Sequence, residues 1–232
     1  MRASRSALLI LLCSAAVVAG ASPASAQYHH LAGGYLTGGF PMGDWGKIAG
    51  FGLGLDATDV VRKPQKALAW RLSSGVLYNF SRTEDVPQAN LASANDKLSL
   101  ETKNWSLTFG IGPELSKPGP VSPFVFGTVG FDTYWTQSTL NGTVNGPSGG
   151  VNHTSDHGDS RIAFAWAAGL GLRRTIVHGH LGELSAEYRS GTDHKFILPD
   201  EVKTNGSGAV LTSRDSHSSD QILIRFGTVF GE

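Results

Sequence analysis

The chain has 232 residues, and its 19 basic and 19 acidic side chains give it a formal net charge of zero at pH 7. This balance argues against a nucleic-acid partner, which would require clustered basic residues. One cysteine, Cys13, is too few for a disulfide framework, and the length suits a single all-β unit.

The first 26 residues are predicted to form a signal peptide. Two arginines precede an apolar run over residues 7–19, which is too short to span a bilayer as a helix. Ala24-Ser25-Ala26 then has the small-x-small form of a signal-peptidase site. We therefore expect an exported protein whose mature domain covers residues 27–232 and contains no thiol, since Cys13 is removed with the leader.

Eight segments of the mature chain alternate apolar and polar residues, which is typical of strands with one face of each kind. The clearest is ALAWRLSSGVLYNF, residues 67–80, where Trp70 and Leu72 lie on the apolar face and Arg71 lies on the other. This segment is long enough for the roughly nine to eleven residues that a tilted strand needs to cross a bilayer. In chain order, the predicted strands cover about residues 31–40, 50–61, 67–80, 98–115, 123–135, 161–174, 181–191 and 222–230.

The connections between these strands alternate in length. Short turns such as RKPQK, SKPGPVS and VHGH follow the second, fourth and sixth strands. The other connections are mostly long, with predicted loops at residues 41–47, 82–97, 140–160 and 199–219. This order predicts an all-β, eight-stranded, antiparallel up-and-down transmembrane β-barrel, whose short turns face the periplasm. The alternative is a water-soluble β-sandwich or lipocalin-like barrel, in which the same apolar residues would face inward.

The chain resembles the small eight-stranded outer-membrane barrels of the opacity-protein and outer-membrane-protein-A type. The resemblance covers the mature chain and includes the closing segment ILIRFGTVF, which is similar to the strand that such proteins present to the barrel-assembly machinery. Members usually end on the aromatic residue, whereas here Gly231-Glu232 follow Phe230. The resemblance implies location in the bacterial outer membrane, with lipid and the assembly machinery as partners.

The alternation assigns side chains to the two surfaces of such a barrel. Charged residues of both signs are predicted to pair inside and to plug the bore, because isolated charges there would be costly. The predicted interior charge network is Arg71, Glu114, Asp132, Arg161, Arg173, Glu183, Glu187, Arg189 and Arg225. The predicted lipid-facing aromatics are Trp70, Tyr78, Phe80, Trp105, Phe109, Phe164, Trp166, Tyr188, Phe226 and Phe230.

No specific binding site is predicted from the other groups of functional side chains. Metal binding needs convergent ligands at fixed distances, which a polar loop rarely supplies, so we predict neither a metal nor a cofactor. The triplet Gly43-Asp44-Trp45 is interpreted as a turn with an interfacial tryptophan. The metal-capable side chains considered are His153, Asp156, His157 and Asp159 in the predicted loop at residues 140–160, with His178 and His180 in a turn.

The preferred function is non-enzymatic: support of the envelope, or recognition of an extracellular ligand by the loops. One alternative is a narrow porin-like channel for small solutes, which would require a continuous wet path. A less favoured alternative is a lipid A-modifying enzyme, a class suggested by some barrels of this size. Its candidate residues are His194, Ser190 and Asp193, with Ser216 or Ser218 as other partners for the histidine, but we predict no catalytic residue.

Overall fold

The computed structural model describes residues 29–63, 66–117, 119–146, 149–177, 180–192, 194–205, 207, 209–213 and 215–231. The predicted leader lies outside these residues. The strands are β1 (His29–Pro41), β2 (Ala49–Arg62), β3 (Leu68–Asp85), β4 (Lys97–Ser116), β5 (Val121–Gly146), β6 (Gly149–Val177), β7 (His180–Gly191), β8 (His194–Lys195), β9 (Val202–Thr204), β10 (Val210–Thr212), β11 (Ser216–His217) and β12 (Gln221–Phe230). A four-residue helix, α1, covers Trp45–Ile48, and two 3-10 helices cover Gln88–Asn90 and Pro199–Glu201.

Strands β1 to β7 and β12 form a closed antiparallel barrel in which each strand pairs with its neighbours along the chain. The first and last strands close it, with pairs running from Ala32↔Phe230 to Pro41↔Gln221. Closure satisfies the backbone hydrogen bonds that an open edge would leave unpaired. The predicted eight-stranded, up-and-down fold is therefore confirmed.

The two faces of the barrel wall differ as the alternation predicts. Along β4, Asn104, Ser106 and Thr108 point inward and are buried, whereas Trp105 and Phe109 point outward and are exposed. The outer wall is apolar all around the barrel, whereas the interior holds the buried charged and polar side chains beside a smaller apolar cluster. A water-soluble barrel would have the opposite arrangement, so the soluble alternative is wrong.

Glycines in the wall make room for a few large inward side chains. A Cβ at Gly39 would lie 2.7 Å from Leu77 Cδ2, and one at Gly169 would lie 2.5 Å from Phe126 Cζ. Leu77 is the one large apolar residue on the inward face of β3, and it fits inside because the facing glycines have no side chains.

The prediction of a loop at residues 140–160 is wrong. Strands β5 and β6 pair continuously from Val121↔Arg174 to Gly146↔Gly149, so this stretch is the far end of one long hairpin. Its Thr, Ser, Asn and Gly content is typical of loops, but β4 pairs with the same stretch of β5 and extends the sheet beyond the apolar band. His157 and Asp159 consequently lie on a strand.

The other long connections also fold. Strand β8 pairs with β11, and β9 pairs with β10, within the segment predicted as a loop at residues 199–219 and just before it. Strand β3 continues to Asp85, inside the predicted loop at 82–97. These connections and the far ends of β3–β6 form what we call the distal cap. Its apolar core comprises Val86, Leu98, Leu100, Leu140, Val144, Ile197 and Val202.

Within the described residues, no helix has the length and apolar character needed to cross a membrane.

Candidate functional site: the interior of the barrel

Four charged side chains form a closed ring inside the barrel, near the end with the short turns. We call Arg71, Glu114, Arg173 and Glu183 the proximal ring. Arg71 donates to Glu114 at 3.0 Å and to Glu183 at 3.2 Å. Arg173 donates to Glu183 at 2.6 Å and to Glu114 at 2.8 Å. All four side chains are at most 2% exposed, and two charges of each sign balance.

Two inward phenylalanines pack against the arginines of the proximal ring. The guanidinium carbon of Arg71 lies 4.5 Å from the ring centroid of Phe126, and that of Arg173 lies 4.2 Å from the centroid of Phe124. Cations over aromatic faces are attracted to the negative ring surface, and the effect grows when water is excluded. The phenylalanines therefore fill the bore beside the ring and stabilise its charges.

A second set of charges lies at mid-height, and we call it the central cluster. Arg189 donates to both carboxylate oxygens of Asp132, through Nε at 2.8 and 3.0 Å. Arg225 donates to Glu187 and, at 2.5 Å, to Asp56. The remaining contact joins Arg189 and Glu187 at 3.5 Å, so the five residues form one chain of ion pairs across the interior.

An aromatic group closes the bore above the central cluster. The Tyr134 hydroxyl donates to Asp132 at 3.1 Å and accepts from Ser219 at 2.6 Å. The ring of Trp45 lies 5.4 Å from those of both Tyr134 and Phe196. Trp45 is 0% exposed, so its predicted interfacial position is wrong. The short helix α1 folds over the opening and inserts this side chain instead.

Eight of the nine predicted interior charges lie in these two groups, and Arg161 does not. Its side chain is 44% exposed and pairs with Asp159 at 3.3 Å, so its assignment to the interior network is wrong. Residue 161 has the inward parity of β6 but lies near the distal end of the bore. Asp56 was missed because β2 reads as a glycine-rich segment. The available signals were its inward parity and the excess of arginines over carboxylates in the predicted interior network.

The predicted lipid-facing aromatics all lie on the outward face. Trp70 and Phe226 are the most exposed of them, at 58% and 66%. Tyr78 is half-buried because its ring packs between those of Phe80 and Trp105, at 5.5 and 4.6 Å. The exposed set is Trp70, Phe80, Trp105, Phe109, Phe164, Trp166, Tyr188, Phe226 and Phe230.

The residues considered for catalysis do not assemble among the described side chains. Ser190 donates to Asp220 at 2.6 Å, which engages its hydroxyl with a carboxylate and not with a histidine. The backbone of His194 pairs with His217, while Asp193 and the His194 side chain lie outside the described part of the structure. His217 itself contacts Asp44 at 3.2 Å and Glu201 at 2.9 Å and stacks on Phe196.

Metal-capable side chains are also dispersed. The described residues contain no group of three His, Cys, Asp or Glu side chains that could hold a metal ion. His157 contacts Ser155 at 3.1 Å, and Asp159 forms an ion pair with Arg161. His178 and the side chain of His153 lie outside the described residues.

Comparisons with known proteins return similar solved structures only. Neither a protein-family model nor a curated protein sequence matches the chain. The chain is similar to the attachment invasion locus protein Ail of Yersinia pestis, at 12% identity over 89% of this chain and 98% of that one, with a TM-score of 0.39. It is also similar to Neisserial surface protein A, at 8% identity over 88% and 96% of the chains and a TM-score of 0.37. A major outer membrane protein of Thermus thermophilus is similar at 12% identity over 87% of this chain and 99% of that one, with a TM-score of 0.43. At TM-scores this low, the likenesses carry no inference about this chain, whose class follows from its own barrel.

Proposed function

We propose that this closed eight-stranded β-barrel, whose outer wall is apolar, is a non-conducting protein of the bacterial outer membrane, in which the filled bore keeps the barrel rigid and the distal cap presents a recognition surface. The observation that carries this proposal is the presence of two groups of buried ion pairs in the interior, the proximal ring and the central cluster, with Trp45 buried above them.

The outer wall supports the membrane part of the proposal. Leucines, isoleucines, valines and aromatics are exposed on every barrel strand, as Leu55 at 60%, Ile162 at 74% and Phe226 at 66% illustrate. Burying such a band in lipid is favourable at about 25 cal/mol per Å² of apolar surface. We therefore assign this band, with its aromatics, to contact with outer-membrane lipid.

The interior supports the absence of a pore. Breaking a buried ion pair leaves an uncompensated charge at a cost of about 3–5 kcal/mol, so the proximal ring resists opening. A channel would need a wet path through the ring, the central cluster and the Trp45 group in succession. We propose that none forms in the resting protein, and that the interior has a structural role rather than a catalytic one.

The distal cap supports the recognition part. Long connections of outer-membrane barrels face the outside of the cell, and loops on a rigid scaffold commonly carry binding function. Here the connections have a core of their own, so the surface they present is fixed in shape. Asp96 accepts hydrogen bonds from the Asn145 backbone at 2.8 Å and from the Thr204 hydroxyl at 3.0 Å, which joins three connections at one carboxylate.

The partners proposed for the biogenesis of the protein are outer-membrane lipid and the barrel-assembly machinery. Strand β12 carries alternating outward residues Ile222, Ile224, Phe226 and Phe230, the pattern expected of a terminal strand that is read during insertion.

Single-channel recording in planar bilayers tests the proposed closed bore. The purified protein should show no steady conductance, and a variant with Arg71→Ala and Glu114→Ala should show none either, because the central cluster and the Trp45 group still close the bore. Large, steady conductance from wild-type monomers would contradict the proposal and favour the porin-like alternative. Mass spectrometry of lipid A with and without expression of the chain tests the enzymatic alternative, and we expect an unchanged acyl pattern.

A further inference from the structure

An open groove of about 650 Å³ lies on the outer wall of β3–β6, where the apolar band meets the distal cap. It lies outside the filled bore and uses none of the interior charges. Its volume falls within the range of about 300–1,000 Å³ that is typical of small-ligand sites.

The floor of the groove is aromatic. Trp105 and Trp135 are direct neighbours across β4 and β5, and Tyr78 is the neighbour of Trp105 across β3 and β4. The ring centroids of Tyr78 and Trp105 are 4.6 Å apart. Trp105 and Trp135 are 51% and 40% exposed, so a ligand can reach their faces. The face of an aromatic ring carries partial negative charge, which attracts the slightly positive C–H bonds of a ring stacked on it.

A row of polar residues borders this floor on the distal side. Lys103, Gln137 and Gly158 are successive neighbours across β4, β5 and β6. A Cβ at Gly158 would meet nothing within 4 Å, so its missing side chain leaves the groove open. Asp156 and Ser160, two residues to either side on the outward face of β6, complete the rim. The rim therefore offers ammonium and amide donors beside carboxylate, amide and hydroxyl acceptors.

The charges favour an uncharged ligand. The Lys103 ammonium is paired with Glu101 at 3.3 Å, and the carboxylate of Asp156 lies on the rim. This balance does not suit a phosphate-rich headgroup, which would require several free cations. A stacked ring with hydroxyl groups around its edge satisfies both the aromatic floor and the mixed rim.

The height of the groove indicates where such a ligand would come from. The pair Phe109↔Phe131 lies four residues below Trp105↔Trp135 on the same outward face, within the apolar band. A molecule with an acyl chain beside Phe109 would thus place its headgroup on the tryptophans. We propose that this groove binds the uncharged saccharide headgroup of a glycolipid in the outer leaflet, with the sugar ring stacked on Trp105 and Trp135.

Dodecyl maltoside, which joins an uncharged disaccharide to an alkyl chain, is a direct probe. The protein is placed in phosphatidylcholine nanodiscs, and the indole N–H signals of Trp105 and Trp135 are followed by NMR during titration. We expect saturable shifts of these two signals with dodecyl maltoside and none with dodecylphosphocholine, which has the same chain length. Equal shifts with both detergents would overturn the proposal, because the chain alone would then explain them.

Two glycine variants provide a matched comparison. Gly158→Val fills the groove without a clash and should weaken the binding of dodecyl maltoside by about tenfold or more. Gly34→Val adds the same side chain at an outward glycine of β1, where a Cβ also meets nothing within 4 Å, and should leave binding unchanged. Unchanged binding in Gly158→Val would overturn the proposed site. Equal saturation by free maltose would overturn the assignment to a lipid headgroup.

Discussion

The buried carboxylate of Glu114 accepts hydrogen bonds from Arg71 and Arg173. Its removal should therefore lower the stability of the protein far more than the removal of an exposed carboxylate. Glu114→Gln leaves Arg71 and Arg173 with Glu183 as their only shared anion, and we expect a loss of about 3–5 kcal/mol in unfolding free energy. Urea unfolding in detergent micelles measures this.

The matched control is Glu101→Gln on the same strand. Glu101 is partly exposed and pairs with Lys103 at 3.3 Å, so its loss should cost about 0–1 kcal/mol. Equal losses in the two variants would show that the proximal ring contributes no more than a surface ion pair.

Individual residues show how far sequence reasoning reaches. Parity along the strands assigned Glu114 and Arg189 correctly to the interior, because every second residue of a strand shares a face. Parity shows which face of the wall a residue lies on, but not how far along the barrel axis it lies. Arg161 was therefore assigned to the bore although it lies near the distal end of the barrel, where its side chain is exposed. Trp45 was assigned to the interface because nothing local shows that α1 folds over the opening.

Among the elements, the distal cap depends on a carboxylate at the start of the long β4–β5–β6 sheet. Asp96 is buried, and the hydrogen bond from the Asn145 backbone is the main cause that lowers its pKa from the ordinary value of 3.8. A lowered folded-state pKa means that the carboxylate stabilises the cap above pH 3.8 and that this contribution is lost as the pH falls through the lowered value.

We therefore expect Asp96→Asn to loosen the cap at neutral pH and to remove part of its acid sensitivity. Local opening should become easier by about 1–3 kcal/mol. Amide hydrogen exchange should show faster exchange around Asn145 and Thr204, with β1 and β12 unchanged. The control Asp85→Asn replaces an exposed carboxylate. Identical exchange in wild type and Asp96→Asn between pH 3 and pH 7 would contradict this role.

The pairing of β4 with the distal part of β5 depends on Gly142. Its φ is +154°, and a Cβ there would clash with the Lys97 carbonyl oxygen. Gly142→Val should therefore destabilise this part of the sheet by about 1–3 kcal/mol and remove amide protection near Leu98. Gly158→Ala, on β6 with open space, should have little effect. Equal protection in the two variants would contradict the close approach.

The elements of the barrel could be predicted from alternation, but those of the cap could not. Large apolar residues mark strands wherever lipid covers one face. Beyond the band both faces contact water or a small core, so β5 and β6 continue through Thr, Ser and Gly residues that resemble a loop. Their strand structure comes from pairing between distant segments, such as Leu100↔Leu140, and not from local pattern.

For the whole molecule, the central claim is that lipid covers the odd-numbered face of β4 while a packed interior excludes water from the other. Spin labels at single cysteines measure this directly, since residues 27–232 contain no cysteine. Labels at residues 105–111, in protein reconstituted in bilayers, report collisions with oxygen, which concentrates in lipid, and with a water-soluble nickel complex.

We predict high oxygen and low nickel accessibility at Trp105, Leu107, Phe109 and Ile111, with low values of both at Ser106, Thr108 and Gly110. High nickel accessibility at the odd-numbered positions would place that face in water. High nickel accessibility at the even-numbered positions would reveal a wet bore. Either result would contradict the account of a lipid-embedded barrel with a sealed interior.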